Sequence, residues 1–277
     1  MKVICCINLK GGVAKTISAI NIAYALYKTH GARVLLIDND KQGNTSKFFG
    51  KHDYESPSIA DVLTSKDLNT IAGAVVSTFC VDLDNYDNMT SGVHLLPANM
   101  NLLRANKEIL LDVTRPQQTR LKKALREVAH IYDYAVIDNA PDMNMSDINA
   151  LVAADYVLIP IKVDRFAFDG LEQLQEKIDE AREFNERLRI AGGFITMFQR
   201  NNVNLQGVEH LAKNSGLRMF KTVIRKTVKV DETTFAGLPL AKYAENCTAA
   251  RDYESLVNEY LQFVTETSTN EGGGGNA

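Results

Sequence analysis

No apolar run in this sequence reaches the roughly 18 residues needed to cross a bilayer, so a membrane-spanning helix is not expected. The N-terminus passes directly into a short apolar segment, without the basic region and apolar stretch of a secretory leader, and a cytoplasmic location is the expectation. Cysteine is scarce. Cys5, Cys6, Cys80 and Cys247 form neither a disulfide framework nor a C-x-x-C metal pattern, and all four are expected as buried, reduced thiols, Cys5 and Cys6 side by side in the first strand. Excess charge is lacking too: 31 Lys and Arg face 34 Asp and Glu, for a net charge of −3, so any contact with nucleic acid has to come from a local basic patch. What remains is ordinary globular composition, 45% hydrophobic and 23% charged over 277 residues, sufficient for one α/β domain with a large core.

The most informative stretch is Lys2 to Thr16. Val3 to Leu9 is mostly apolar and rich in β-branched residues, as expected of a strand buried on both faces of a parallel sheet. It runs into Lys10-Gly-Gly-Val-Ala-Lys-Thr16, where Gly11 and Gly12 allow a tight turn whose N–H groups approach an anion. Lys15 offers a point charge and Thr16 a hydroxyl for Mg²⁺. The pattern Ile17, Ile20, Ile22, Ala23, Ala25, Leu26 is helical, so the loop opens onto a helix N-terminus that favours phosphate.

Two features distinguish this loop from the ordinary G-x-x-x-x-G-K-[ST] motif: a second lysine at Lys10, and Ala14 where the last glycine would stand. Lys10 to Thr16 resembles the deviant Walker A loop, K-G-G-x-G-K-[ST], of the ParA/MinD family of dimeric ATPases. The resemblance implies that Lys10, Gly11, Gly12, Val13, Ala14, Lys15, Thr16 and Ile17 bind ATP, and that Lys10 is the lysine that reaches the partner's nucleotide across a sandwich dimer. Asp38-Asn-Asp-Lys-Gln-Gly-Asn44, after an expected strand from Ala32 to Ile37, resembles the family's D-x-D-P-Q-G-N with Lys41 in place of proline. That match implies a catalytic and metal-shell role for Asp40 beside Lys10 and Lys15. Tyr134 to Asp138 is a buried strand ending in one carboxylate, the Walker B arrangement; Asp138, with Thr16 and Asp40, is expected to hold Mg²⁺. Asn139-Ala-Pro141 resembles the family's D-x-P-P segment with Ala140 for the first proline, and Thr196-Met197-Phe198 a pattern near the adenine pocket, which gives Met197 as a base contact.

Elsewhere the sequence predicts a capped helix after Pro57, a strand over Val93 to Pro97, and helices over Asn101 to Leu111, Gln117 to Ala129, Phe168 to about Leu188, Gly207 to Leu217 and Thr248 to Val264. Asp82, Asp84 and Asp87 are expected in a solvated loop, since the glycine and glutamate of a Ca²⁺ loop are missing. The expected fold is a doubly wound, mostly parallel α/β sheet with helices on both faces, a P-loop ATPase domain over 1–265, followed by a disordered tail over 266–277.

From Ala212 to Val230 the chain carries cations and no carboxylate. Arg218, Lys221, Arg225, Lys226 and Lys229 are therefore expected to meet non-specific double-stranded DNA, with no sequence readout. The resemblance implies an ATP-dependent homodimer that hydrolyses ATP slowly, works with a ParB-like centromere-binding protein and is associated with the nucleoid. Nitrogenase iron protein belongs to the same superfamily, but the cysteines here are not on the site loops. A MinD-like membrane ATPase is the alternative, set against an acidic C-terminus with Asp252, Glu254, Glu259 and Glu266; a non-hydrolysing switch is a second.

Overall fold

The computed structural model describes residues 1–78, 92–164 and 167–272; Cys80 and the acidic stretch at Asp82, Asp84 and Asp87 lie outside the described residues. The chain begins with β1 (Lys2–Cys6), α1 (Lys15–His30) and β2 (Val34–Asn39), then the short α2 (Asn44–Phe48), α3 (Ile59–Thr64) and α4 (Thr70–Ala74). Next come β3 (Val76–Ser77), β4 (Val93–Leu96), α5 (Asn101–Leu111), α6 (Arg120–Val128), β5 (Tyr134–Asn139), α7 (Met145–Ala153) and β6 (Tyr156–Lys162). The last third holds α8 (Ala167–Arg182), β7 (Arg189–Phe198), α9 (Asn202–Asn214), β8 (Met219–Arg225), α10 (Lys229–Ala236), α11 (Leu240–Tyr243) and α12 (Thr248–Gly272).

Among the described residues the strands form one sheet in the order β3-β4-β2-β5-β1-β6-β7-β8, parallel except for β3. This is the doubly wound P-loop arrangement. Period-two alternation sorts the central strands onto two cores. Val3, Cys5, Leu35, Ile37, Ala135 and Ile137 point to the side covered by α3 to α8. Ile4, Cys6, Val34, Leu36 and Val136 point to the side covered by α1, α11 and α12. Both faces of β1 and β2 are thus dry, which is why these strands read as continuous apolar runs. β5 lies between β1 and β2, opposing Asp38 to Asp138, and the chain switches direction across β1 to continue with β6. Loops following β1, β2 and β5 meet at that switch point.

Several boundaries differ from the sequence expectation. β1 stops at Cys6, and Asn8 instead turns its side chain to the Pro160 carbonyl and accepts from the Lys10 N–H, starting the loop early. α9 begins at Asn202, five residues ahead of Gly207, because the Asn201 side chain caps it by accepting from Asn204 N–H at 2.9 Å. Its first-turn apolar residues Val203 and Leu205 are exposed, so no periodic pattern announced it. α8 ends at Arg182, with Leu171, Leu174 and Ile178 buried as core. α12 continues to Gly272, so residues 266–272 are helical rather than a disordered tail; hydroxyls of Thr265, Thr267, Ser268 and Thr269 bond the carbonyls four residues earlier. Residues 273–277 lie outside the described residues.

Candidate nucleotide site

The loop between β1 and α1 is held from below. Val13 is buried and its carbonyl accepts from Thr196 Oγ1 at 3.1 Å, so β7 props the loop. Gly12 has φ 71 and faces open space, as does Gly11, leaving the loop's concave side clear for a ligand. Ala14 adopts φ 63, the left-handed conformation that the replaced glycine would take without strain, and its carbonyl starts α1 by accepting from Ser18 N–H. Lys15 is buried, and its Nζ donates to the Lys10 carbonyl at 2.8 Å across the loop. Burial lowers its pKa, while Asp138, Cys6 and Asp40 oppose the shift.

Behind the loop lies a buried carboxylate pair on adjacent strands. Asp138 accepts from Thr45 Oγ1 at 2.8 Å through Oδ2, and its Oδ1 is buried with no hydrogen-bond partner. Asp38 accepts from both the Ser46 N–H and the Ser46 hydroxyl, at 2.8 and 2.7 Å. Burial raises both carboxyls above the usual range, each further raised by neighbouring carboxylates and restrained by these hydroxyls. Asp40, also buried, accepts from Gln42 N–H through Oδ1.

Lys15, Thr16 and Asp40 border a cleft of ≈ 440 Å³ that Gly11, Gly12 and Asn139 also line, with Asp38 and Asp138 buried behind it. The residues fit a magnesium ion: a hydroxyl and an orphaned carboxylate oxygen are hard ligands, and magnesium keeps several waters rather than needing an all-protein cage. That is compatible with the finding that no group of three or more His, Cys, Asp or Glu side chains among the described residues is disposed to hold a metal alone. A second chamber adjoins the first through Ala14 and Ile17 and is lined by Met197, Thr196, Ile224, Lys226, Asp231 and Tyr253. Met197 itself has φ 53, turning the chain at the end of β7.

The site residues expected from the sequence therefore converge, Lys10 to Ile17, Asp40, Asp138 and Met197 all lying at the carboxyl ends of β1, β2, β5 and β7. Lys10 is the exception in direction: its ammonium forms an ion pair with Asp164, just past β6. Sequence reasoning missed Thr45, Ser46 and Tyr253. The first two sit on α2, a five-residue helix too short for a periodic signal, and Tyr253 comes from α12 to meet Ser18 at 3.0 Å.

A family model described as an AAA domain matches residues 1–190. The chromosome-partitioning ATPase Soj of Treponema pallidum is 34% identical over 257 residues, 92% of this chain and 95% of that protein. The chromosome partitioning protein ParA of Caulobacter vibrioides is 34% identical over 266 residues, 94% of each chain. The chain belongs to the ParA/Soj family of partition ATPases. Its fold is shared with cobyrinic acid a,c-diamide synthase of Mycobacterium smegmatis, whose structure with a bound ATP analogue and magnesium superposes with a TM-score of 0.79 at 26% identity over 96% of each chain.

The basic run is free of carboxylates only along the sequence; in the fold, α10 and α12 bring acids against it. Arg225 is bound through Nε and Nη2 to Asp252, at 2.9 and 2.5 Å. Lys229 pairs with Glu232 at 2.7 Å, and the backbone N–H of Lys221 donates to Glu259. Arg218 lies over the rings of Phe220 and Phe263, at 4.9 and 4.6 Å. Lys226 is exposed but lines the second chamber, so it belongs beside the nucleotide cleft and is not remote from it.

Proposed function

We propose that this chain is a partition ATPase that closes as a homodimer around Mg·ATP, hydrolyses it slowly, binds DNA without sequence preference and is stimulated by a ParB-like partner at the nucleoid. The observation that carries the ATPase reading is the set of Lys15, Thr16 and Asp40 lining one cleft at the switch point of the sheet, with the Asp138 carboxylate buried behind it. Phosphates would rest on the N–H groups of Gly11 to Thr16 and on α1's N-terminus, with Lys15 exchanging the Lys10 carbonyl for the β- and γ-oxygens. Thr16 and Asp138 would hold Mg²⁺, which supplies neutralisation of charge developing on the phosphoryl group. Asp40 orients the attacking water, and the base enters the second chamber against Met197 and Ile17. Lys10, held on the rim by Asp164, completes the site of a partner protomer once dimerisation draws it away.

The membrane alternative is weakened by the acids on α12: Asp252, Glu254 and Glu259 engage Arg225, Lys28 and the β8 backbone, so this helix packs onto the domain. For DNA, Lys221 and Lys229 are the cations whose removal leaves the cleft untouched. ATPase assays with and without DNA test the whole reading. Lys15→Ala should weaken ATP binding by about 100-fold in calorimetry, the loss of a charge-assisted hydrogen bond worth roughly 3 kcal/mol. Asp40→Ala should keep binding and lose turnover. In salt titrations, Lys221→Glu with Lys229→Glu should flatten the log–log slope of DNA binding by about 0.9 for each phosphate no longer neutralised; a parental slope would move the DNA surface elsewhere.

A further inference from the structure

Asp40 sits at the first position of a four-residue turn closed by the Gly43 N–H donating to the Asp40 carbonyl at 2.8 Å. The second position of such a turn is where proline is favoured, because its ring presets φ near −65°. Here that position is Lys41, which leaves the turn without a covalent restraint on φ. The Lys41 ammonium instead crosses the mouth of the cleft to Asp142 Oδ2 at 2.7 Å. Asp142 is itself fixed: the same oxygen accepts from Asn144 Nδ2 at 3.0 Å, and Asn144 caps α7 in a reciprocal box with Asp147. The other end of the turn is walled, since a Cβ at Gly43 would come within 2.4 Å of His52 Cδ2 and 2.7 Å of the Ala98 carbonyl. One end of the turn is braced by packing, and the other by an ion pair to the loop after β5.

We propose that Lys41 is a positioning residue: its ion pair with Asp142 replaces the missing ring restraint and holds the Asp40 turn in the geometry that aims the Asp40 carboxylate into the cleft. The catalytic part rests on the ATPase reading above; the structural part does not. The pair is partly exposed, 27% and 48% for the two side chains, so its contribution to global stability is small and screened by salt. Its effect is on where Asp40 points. A displacement of under an ångström at a water-orienting group is enough to lower turnover.

The test uses the full-length protein and two readouts. In the nucleotide-free protein, Lys41→Ala should speed hydrogen exchange at the Gly43 amide by about tenfold, as expected when a local opening is released, while Lys41→Pro should exchange as slowly as the parent. Added salt should speed exchange in the parent and not in Lys41→Pro. In ATPase assays Lys41→Ala should lower kcat by about tenfold with a smaller change in KM, and Lys41→Pro should restore kcat and remove its sensitivity to Asp142→Asn. A charge-swapped pair, Lys41→Asp with Asp142→Lys, should recover part of the loss. Unchanged Gly43 exchange in Lys41→Ala overturns the proposal. So does a Lys41→Pro variant no better than Lys41→Ala in either readout. If the parent hydrolyses no ATP, the ATPase reading fails, and the exchange measurements still decide whether the pair braces the turn.

Discussion

Ala14 shows what a single side chain does to this site. A left-handed φ costs an L-residue roughly 1–2 kcal/mol, and the fold maintains it because Val13 is pinned by Thr196 on one side and α1 begins on the other. Ala14→Gly should therefore stabilise the protein, by about 0.5–1 kcal/mol after allowing for the greater freedom of glycine in the unfolded chain. Urea denaturation measures this directly, and a destabilised variant would mean that the methyl group has a packing role. Lys15 illustrates a different balance. Burial disfavours its charge and four nearby acid or thiol groups favour it, so the lysine is held between a desolvated interior and a carboxylate floor.

Among elements, the C-terminal end of α3 is tied to the α5–α6 connection by two arginines that share one carboxylate. Asp112 accepts from Arg115 and Arg120 at 3.0 and 2.9 Å, while the guanidiniums donate to the carbonyls of Leu63, Thr64 and Ser65. Cations at a helix C-terminus complement its exposed carbonyls. The hydroxyl of Thr114 and the guanidinium of Arg115 hold the Asp112 carboxyl well below its ordinary range. A depressed carboxyl contributes stability at pH values above its unfolded value and loses it as pH falls toward the folded one. The gap in melting temperature between the parent and Asp112→Asn should thus be full at pH 7 and shrink as pH drops below about 4. A gap that stays constant down to pH 2 would show that the carboxylate charge contributes nothing there.

The whole molecule presents its nucleotide cleft on one edge, with the Lys10–Asp164 ion pair on the rim. If the ATP dimer forms by transferring Lys10 to the partner's phosphates, Lys10→Ala should bind ATP as a monomer and remain a monomer in light scattering. An ATP-dependent dimer of Lys10→Ala would make this lysine a loop residue held by Asp164 and nothing more. The same edge explains why the motifs, far apart in sequence, come together in space. Parallel strands deliver their following loops to one side, and each functional motif lies within a few residues of a strand's carboxyl end.

The sequence by itself determined the loop between β1 and α1, the two-sided burial of β1 and the placing of Lys15, Thr16 and Asp138 beside strand ends, because periodicity and motif spacing are local properties, while Asp40 was singled out by the family resemblance. Ala14 was legible as a departure from the motif, and its positive φ came only from the structure. What only tertiary structure decided is pairing at a distance. Thr45 meets Asp138 across 93 positions, Lys41 meets Asp142 across 101, and Lys10 meets Asp164 across 154. Arg225 looked like part of a free basic run until α12 brought Asp252 to it. Such partners are set by the insertion of β5 between β1 and β2 and by the packing of α12 on β8, and no local pattern encodes strand order. The chemistry of each side chain was written in the sequence, whereas the charge that faces it depended on the order in which strands and helices pack.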